Sequence, residues 1–155
     1  MTKTNAMRLL DAAKIAYEVK EYEVDENDLS GVHIASQIGL PFEQVFKTLT
    51  ARGDKTGVIV FCIPVHKEID LKKAASITGN KKVELLHVKE LLGITGYVRG
   101  GCSPIGMKKK FPTFIEQSAK DFEKITVSAG MKGAQLLLRV DELVKFTGAK
   151  LCQIV

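Results

Sequence analysis

The segment VFKTLTARGDKTGVIVFCIP, residues 45–64, reads as two strands around a polar turn. A strand has a side-chain period of two, so Val45, Lys47 and Leu49 share one face while Phe46, Thr48 and Thr50 share the other. This strand is expected to run to Arg52. The second, from Thr56 to Pro64, contains VIVFCI, apolar on both faces, which predicts a strand covered on both sides in the middle of a sheet. Helix signals surround the pair. Thr4 or Asn5 caps a segment with Ala6, Leu9, Leu10 and Ala13 at helical spacing; Ser30 caps a second, which Gly39 ends; Asp70 caps a third before Gly79. Residues 16–24 and 81–86 read as strands and His87–Leu92 as a helix. Further strands are expected near Thr113–Glu116, Ile125–Ser128, Leu136–Val140 and Leu151–Val155, with a helix from Asp141 to just before Gly148. The mixture predicts one α+β domain over residues 1–155, with a mixed, mostly antiparallel sheet flanked by helices.

With 155 residues, 45% hydrophobic and 26% charged, the chain can bury one core, and neither a disordered tail nor a coiled coil fits. Its longest run without a formal charge, Leu29–Phe42, is 14 residues and includes Ser, His, Gln and Pro, too short and too polar for a membrane span. The N-terminus, charged every few residues, lacks the apolar region of a secretory signal, so a cytoplasmic protein is expected. Three cysteines, Cys62, Cys102 and Cys152, agree with a reducing compartment. The net charge of +5 is uneven: residues 1–47 carry −3 and residues 48–155 carry +8. Arg99, Lys108, Lys109 and Lys110 lie together in a Gly- and Pro-rich stretch without an acid, and such a run is either a solvated loop or a dock for a polyanion.

Lys47 interrupts an otherwise apolar stripe. Either its stem snorkels past Val45 and Leu49 to water, or its amine belongs to the wall of a pocket, against a phosphate or carbonyl oxygen. The loop Gly100, Gly101, Cys102, Ser103, Pro104 is either a tight turn or a close approach of backbone amides to a ligand. A second glycine-spaced segment, from Ser128 through Gly130 to Gly133, is a candidate matching rim. His33, His66 and His87 have no metal-ligand spacing, and no CxxC occurs, so neither a metal nor a cofactor is expected. Cys102 has no histidine nearby in sequence, and Ser103 has no GxSxG elbow, so a protein nucleophile is not indicated.

Taken together, QVFKTLT at 44–50, LKKAASITGNKKVEL at 71–85, TGYVRGGCSPIGMKKKFPTFIE at 95–116 and TVSAGMKG at 126–133 resemble the YbaK family of freestanding aminoacyl-tRNA deacylases. The resemblance covers nearly the whole chain in order and spacing. It implies the fold of the editing domain of bacterial prolyl-tRNA synthetase, with a partly barrel-like sheet and an editing pocket. By the same resemblance Lys47 is needed for substrate binding, Gly100 to Pro104 faces the aminoacyl group, and Gly101 and Ser128 act with Lys47 at the reacting ester. Tyr22, Thr48, Gly130 and Gln135 would complete the pocket, with Arg99 and Lys108 to Lys110 on tRNA phosphates. The chain departs from the family at Ala129, where glycine is common, at Gln135, where one branch has Asp, at Cys102, often aliphatic, and near Leu29 or Ser30, where an aromatic is usual.

The implied activity is removal of a mischarged amino acid from tRNA, foremost Cys from Cys-tRNA(Pro) and after it Cys from Cys-tRNA(Cys). In this family the substrate's own thiol attacks the ester, which suits a sequence with no catalytic triad. Prolyl-tRNA synthetase is the implied protein partner, and no membrane is involved. Two other readings stay open at this level: a module that binds tRNA or a synthetase without catalysis, and a deacylase for another amino acid such as Ala.

Overall fold

The computed structural model describes residues 2–155. Its helices are α1 (Asn5–Ala12), α2 (Gly31–Ile38), α3 (Leu71–Thr78), α4 (Val88–Thr95) and α5 (Val140–Thr147). Its strands are β1 (Tyr17–Glu21), β2 (Phe46–Gly53), β3 (Gly57–Pro64), β4 (Val83–Leu85), β5 (Thr113–Glu116), β6 (Lys124–Ser128), β7 (Ala134–Arg139) and β8 (Lys150–Cys152). Five strands form one sheet in the order β4-β2-β3-β5-β8, and three form another, β1-β7-β6. The segment VIVFCI lies in β3, buried in the middle of the larger sheet. The β2–β3, β2–β4, β1–β7 and β6–β7 pairs are antiparallel, and β3–β5 and β5–β8 are parallel, so the mixed and mostly antiparallel expectation holds.

The barrel-like expectation needs correction. The two sheets touch through one parallel bridge, Val45–Thr126, and no ladder extends from it to close a barrel. They pack instead as layers. Phe46, Cys62 and Ile115 from the large sheet meet Ile125, Val127, Leu136 and Leu138 from the small one, with Met7 and Leu10 of α1 and Leu143 of α5 at the sides. On the far face of the large sheet, Ile59, Phe61, Ile63 and Phe114 pack against Ala74 and Ala75 of α3, and the Phe61 and Phe114 rings stack 5.8 Å apart. A third cluster, Ala35, Val45 and Val65, fastens α2 to the start of β2 and the end of β3.

The caps behave as their chemistry requires. Thr4 Oγ1 accepts from the Met7 amide at 3.2 Å, Ser30 Oγ from the His33 amide at 3.3 Å, and Asp70 from the amides of Lys72 and Lys73 at 3.0 and 3.1 Å. Buried Glu116 at the end of β5 accepts the amides of Ile154 and Val155 at 2.8 and 3.2 Å and of Ser118 at 3.3 Å, tying the last residues to the sheet. No helix among the described residues is long and apolar enough to cross a membrane.

Candidate active site

Strand alternation gives the small sheet two chemically different faces. Tyr17, Val19, Ile125, Val127, Leu136 and Leu138 enter the core. Ser128 stands opposite Gln135, and Gln135 opposite Lys20, so these three lie in one row on the other face, with Thr126 beside them. Thr126, Ser128 and Gln135 are buried polar residues, at most 7% exposed, and a buried polar wall needs partners. Thr126 Oγ1 donates to Gln135 Oε1 at 3.3 Å, and Ser128 Oγ accepts from the Gly130 amide at 3.2 Å. The Gln135 amide NH2 and the Ser128 hydroxyl proton are left to donate elsewhere.

They border a hollow of about 320 Å³. Its floor is the start of β2 and the residue before it, with Val45, Phe46, Lys47, Thr48 and Leu49 all contributing. Five consecutive residues cannot lie on one face of a strand, so the hollow follows the edge of β2. Ser30, Gly31 and Ile34 at the start of α2 form one side, and Arg99, Gly100 and Cys102 close the other. A Cβ on Gly31 would stand 2.4 Å from Val65 Cγ1, so only glycine lets α2 begin this close to the sheet.

Among the residues expected from the sequence, the structure brings Lys47, Thr48, Arg99, Gly100, Cys102, Ser128 and Gln135 together at this hollow. Lys47 is part-buried, and loss of hydration lowers its ammonium below the ordinary value, with Glu68 pulling weakly upward. No Asp or Glu lines the hollow, so its fixed charge, from Lys47 and Arg99, is positive. Burial pushes the Cys102 thiol up to about 11, against hydrogen bonds from Thr50 and Thr95, and Cys62, bonded to Thr48 Oγ1 at 3.7 Å, is pushed up to about 12. Both stay as thiols at neutral pH, which denies them a nucleophile's role.

Other expected residues sit elsewhere. The Gly101 amide donates to the Val98 carbonyl at 3.0 Å, closing a turn, so it does not offer itself to an acyl group. Gly101 serves packing instead: a Cβ there would lie 3.0 Å from Met131 Cα, so the 96–106 and 129–133 loops pack on each other, and of the expected second rim only Ser128 lines the hollow. Ser103 is fully buried, its Oγ accepting from the Ile105 amide at 3.2 Å. Pro104 faces a different cavity, shared with Met107, Lys109, Lys110 and Phe111. Gly130 backs onto the Tyr97 ring. Tyr22 borders a small crevice next door that shares Leu29, Ile34 and Gly100 with the hollow or its wall. Lys108 turns to the Gly93 carbonyl at 3.2 Å, so none of the three consecutive lysines lines the hollow. Sequence reasoning missed the start of α2. Ser30 announced a helix, but nothing local said that it returns to β2 or that Gly31 makes the contact.

A family model described as the aminoacyl-tRNA editing domain matches residues 30–146. A protein of Enterococcus faecalis, EbsC, whose name proposes Cys-tRNA(Pro)/Cys-tRNA(Cys) deacylase activity, is 45% identical over 152 residues, covering 98% of this chain and 93% of its own length. A proline–tRNA ligase of Streptomyces griseus is 28% identical over 88 residues, which is 56% of this chain and 15% of the ligase. A solved structure described as a candidate trans-editing enzyme for prolyl tRNA synthetase superposes with a TM-score of 0.82 over 99% of this chain and 98% of that one; at 21% identity it speaks for the fold. The chain belongs to the aminoacyl-tRNA editing domain family, and the substrate class of that family is aminoacyl-tRNA.

Proposed function

We propose that the chain, acting as one editing unit in the cytoplasm, removes cysteine from Cys-tRNA(Pro) through the substrate's own thiol. The observation that carries this is the composition of the hollow: donors from Lys47, Ser128 and Gln135 beside Gly100, no carboxylate, and thiols held protonated. An aminoacyl ester is already activated. It needs to be oriented and to have its carbonyl charge stabilised, and no protein nucleophile is required. The substrate sulfur adds to the carbonyl carbon, the bond from that carbon to the ribose oxygen breaks, and the thiol proton ends on the departing ribose oxygen. The products are tRNA and a cyclic thioester of cysteine.

In this reading Lys47 holds the terminal nucleotide or the ester, and Ser128 and Gln135 fix the aminoacyl group. Arg99 at the rim, with Lys108 to Lys110 beyond it, meets acceptor-stem phosphates. Prolyl-tRNA synthetase is the proposed partner, since part of a proline–tRNA ligase is itself similar to this chain. The test is a deacylation panel of Cys-, Ala- and Pro-tRNA(Pro) with Cys-tRNA(Cys). Cys-tRNA(Pro) should be cleared fastest, and Lys47→Ala should abolish clearance while the fold persists. Intact Cys-tRNA(Pro), or a fully active Lys47→Ala protein, would overturn the assignment.

A further inference from the structure

The hollow exists because one ladder stops after a single rung. The Val65 amide donates to the Val45 carbonyl at 2.8 Å, which fixes the pattern along β2: odd-numbered residues turn their peptide groups to β3, and even-numbered ones turn theirs outward. Thr50 uses its outward carbonyl for the Leu86 amide at 3.0 Å, and β4 pairs only with Ala51–Gly53 before the chain enters α4. On β6, the Ala129 amide donates to Ala134 at 3.1 Å, so Thr126 and Ser128 turn their peptide groups toward β2. The two strands meet at Val45–Thr126, and no bridge follows between Lys47 and Ser128. The peptide group of Thr48 therefore lies past the last bridge of this ladder, at the floor of the hollow and across from Ser128.

We propose that the backbone N–H of Thr48 is the oxyanion donor of the reaction, acting with the Ser128 hydroxyl; this rests on the deacylase reading above. As the substrate sulfur adds, negative charge collects on the carbonyl oxygen, and it leaves that oxygen when the bond to ribose breaks. A fixed backbone N–H at that point stabilises the charge without reorganising. The Gly101 amide cannot do this, being spent on Val98. The Ser128 oxygen already accepts from Gly130, which orients its own proton outward.

The test removes only the N–H: Thr48 is replaced by its α-hydroxy acid analogue, turning one peptide bond into an ester. Single-turnover deacylation of Cys-tRNA(Pro) should slow about 10²- to 10³-fold, while binding of that tRNA changes less than about three-fold. The same change at Ala51, whose N–H belongs to the β2–β3 ladder, should lower the melting temperature without a comparable loss of rate. Wild-type rates from the Thr48 ester would overturn the proposal while the deacylase reading stands; a wild-type protein that leaves every ester intact would sink both. A second measurement needs no variant. A phosphonate analogue of cysteinyl-adenosine bound to the native protein should move the Thr48 amide proton downfield, and a resonance that stays in place on saturation would refute the assignment.

Discussion

Gly31→Ala should destabilise the protein even though it adds a better helix former to α2. The new Cβ would stand 2.4 Å from Val65 Cγ1 and 2.6 Å from Val65 Cβ, where carbon atoms ordinarily rest about 3.5–4.0 Å apart. Something must move by about 1 Å. Val65 gives little, because it is β-branched, only 7% exposed, and held through its amide to Val45. Helix propensity returns at most about 1 kcal/mol, less at a helix's first residue, whereas overpacking costs about 1–3 kcal/mol. The net loss is about 1–2 kcal/mol, and in a chain of this size each kcal/mol lowers the melting midpoint by about 2–4 °C. Denaturant and thermal unfolding of Gly31→Ala, Val65→Ala and the double variant form a cycle. Because the added methyl group fills the space that the Val65 truncation vacates, the double variant should be more stable than additivity predicts by about 1 kcal/mol or more. Zero coupling, with Gly31→Ala as stable as wild type, would refute the claim that α2 is seated by a missing side chain. Displacing α2 also widens one side of the hollow, so the same variant should discriminate less between cysteinyl and bulkier esters.

Four more outcomes follow from charge and burial. Lys47 is held below its ordinary 10.5 by desolvation, so between the depressed folded value and 10.5 the unfolded chain binds more protons and this group makes stability rise with pH; Lys47→Met should flatten that part of a stability–pH curve. On the proposed role of this ammonium, deacylation should fall as pH rises through the same depressed value, read from the pH–rate profile. Changing Lys108, Lys109 and Lys110 to Ala should weaken tRNA binding and reduce the salt slope by up to about 3, read by filter binding; an unchanged slope would put the phosphate contacts elsewhere. Alkylation of Cys102, whose thiol is pushed up to about 11, should be slow at pH 8 and quicken about ten-fold per pH unit until near that value, followed by mass spectrometry; rapid labelling at pH 8 would contradict its buried, protonated state.

Local signals carried far where a single residue type has one physical use. Ser30, Asp70, Gly39 and Gly79 marked helix ends correctly, because a cap needs an acceptor and a left-handed residue favours glycine. VIVFCI announced a strand with two covered faces. The lining of the candidate site was legible in part. Lys47 stood out as a cation in an apolar stripe, and Ser128 and Gln135 followed from the resemblance. What could not be read was long-range: that β2 and β6 part after one bridge, that the Gly101 amide is taken by Val98, and that α2 folds back beside β2. Alternation tells which side of a strand a residue takes, but not whether a neighbouring strand continues alongside it. The lysine triplet shows the same limit, since its charge was plain and its distance from the hollow was not.

The early end of the β2–β6 pairing divides the labour of the pocket between two kinds of chemistry. Its floor is the β2 main chain beside Lys47, from which only proline would take an N–H, while its walls are side chains that can be exchanged one at a time. On the proposed mechanism, exchanging Cys102, Gln135 or the first turn of α2 would alter which amino acid fits without rebuilding the platform beneath.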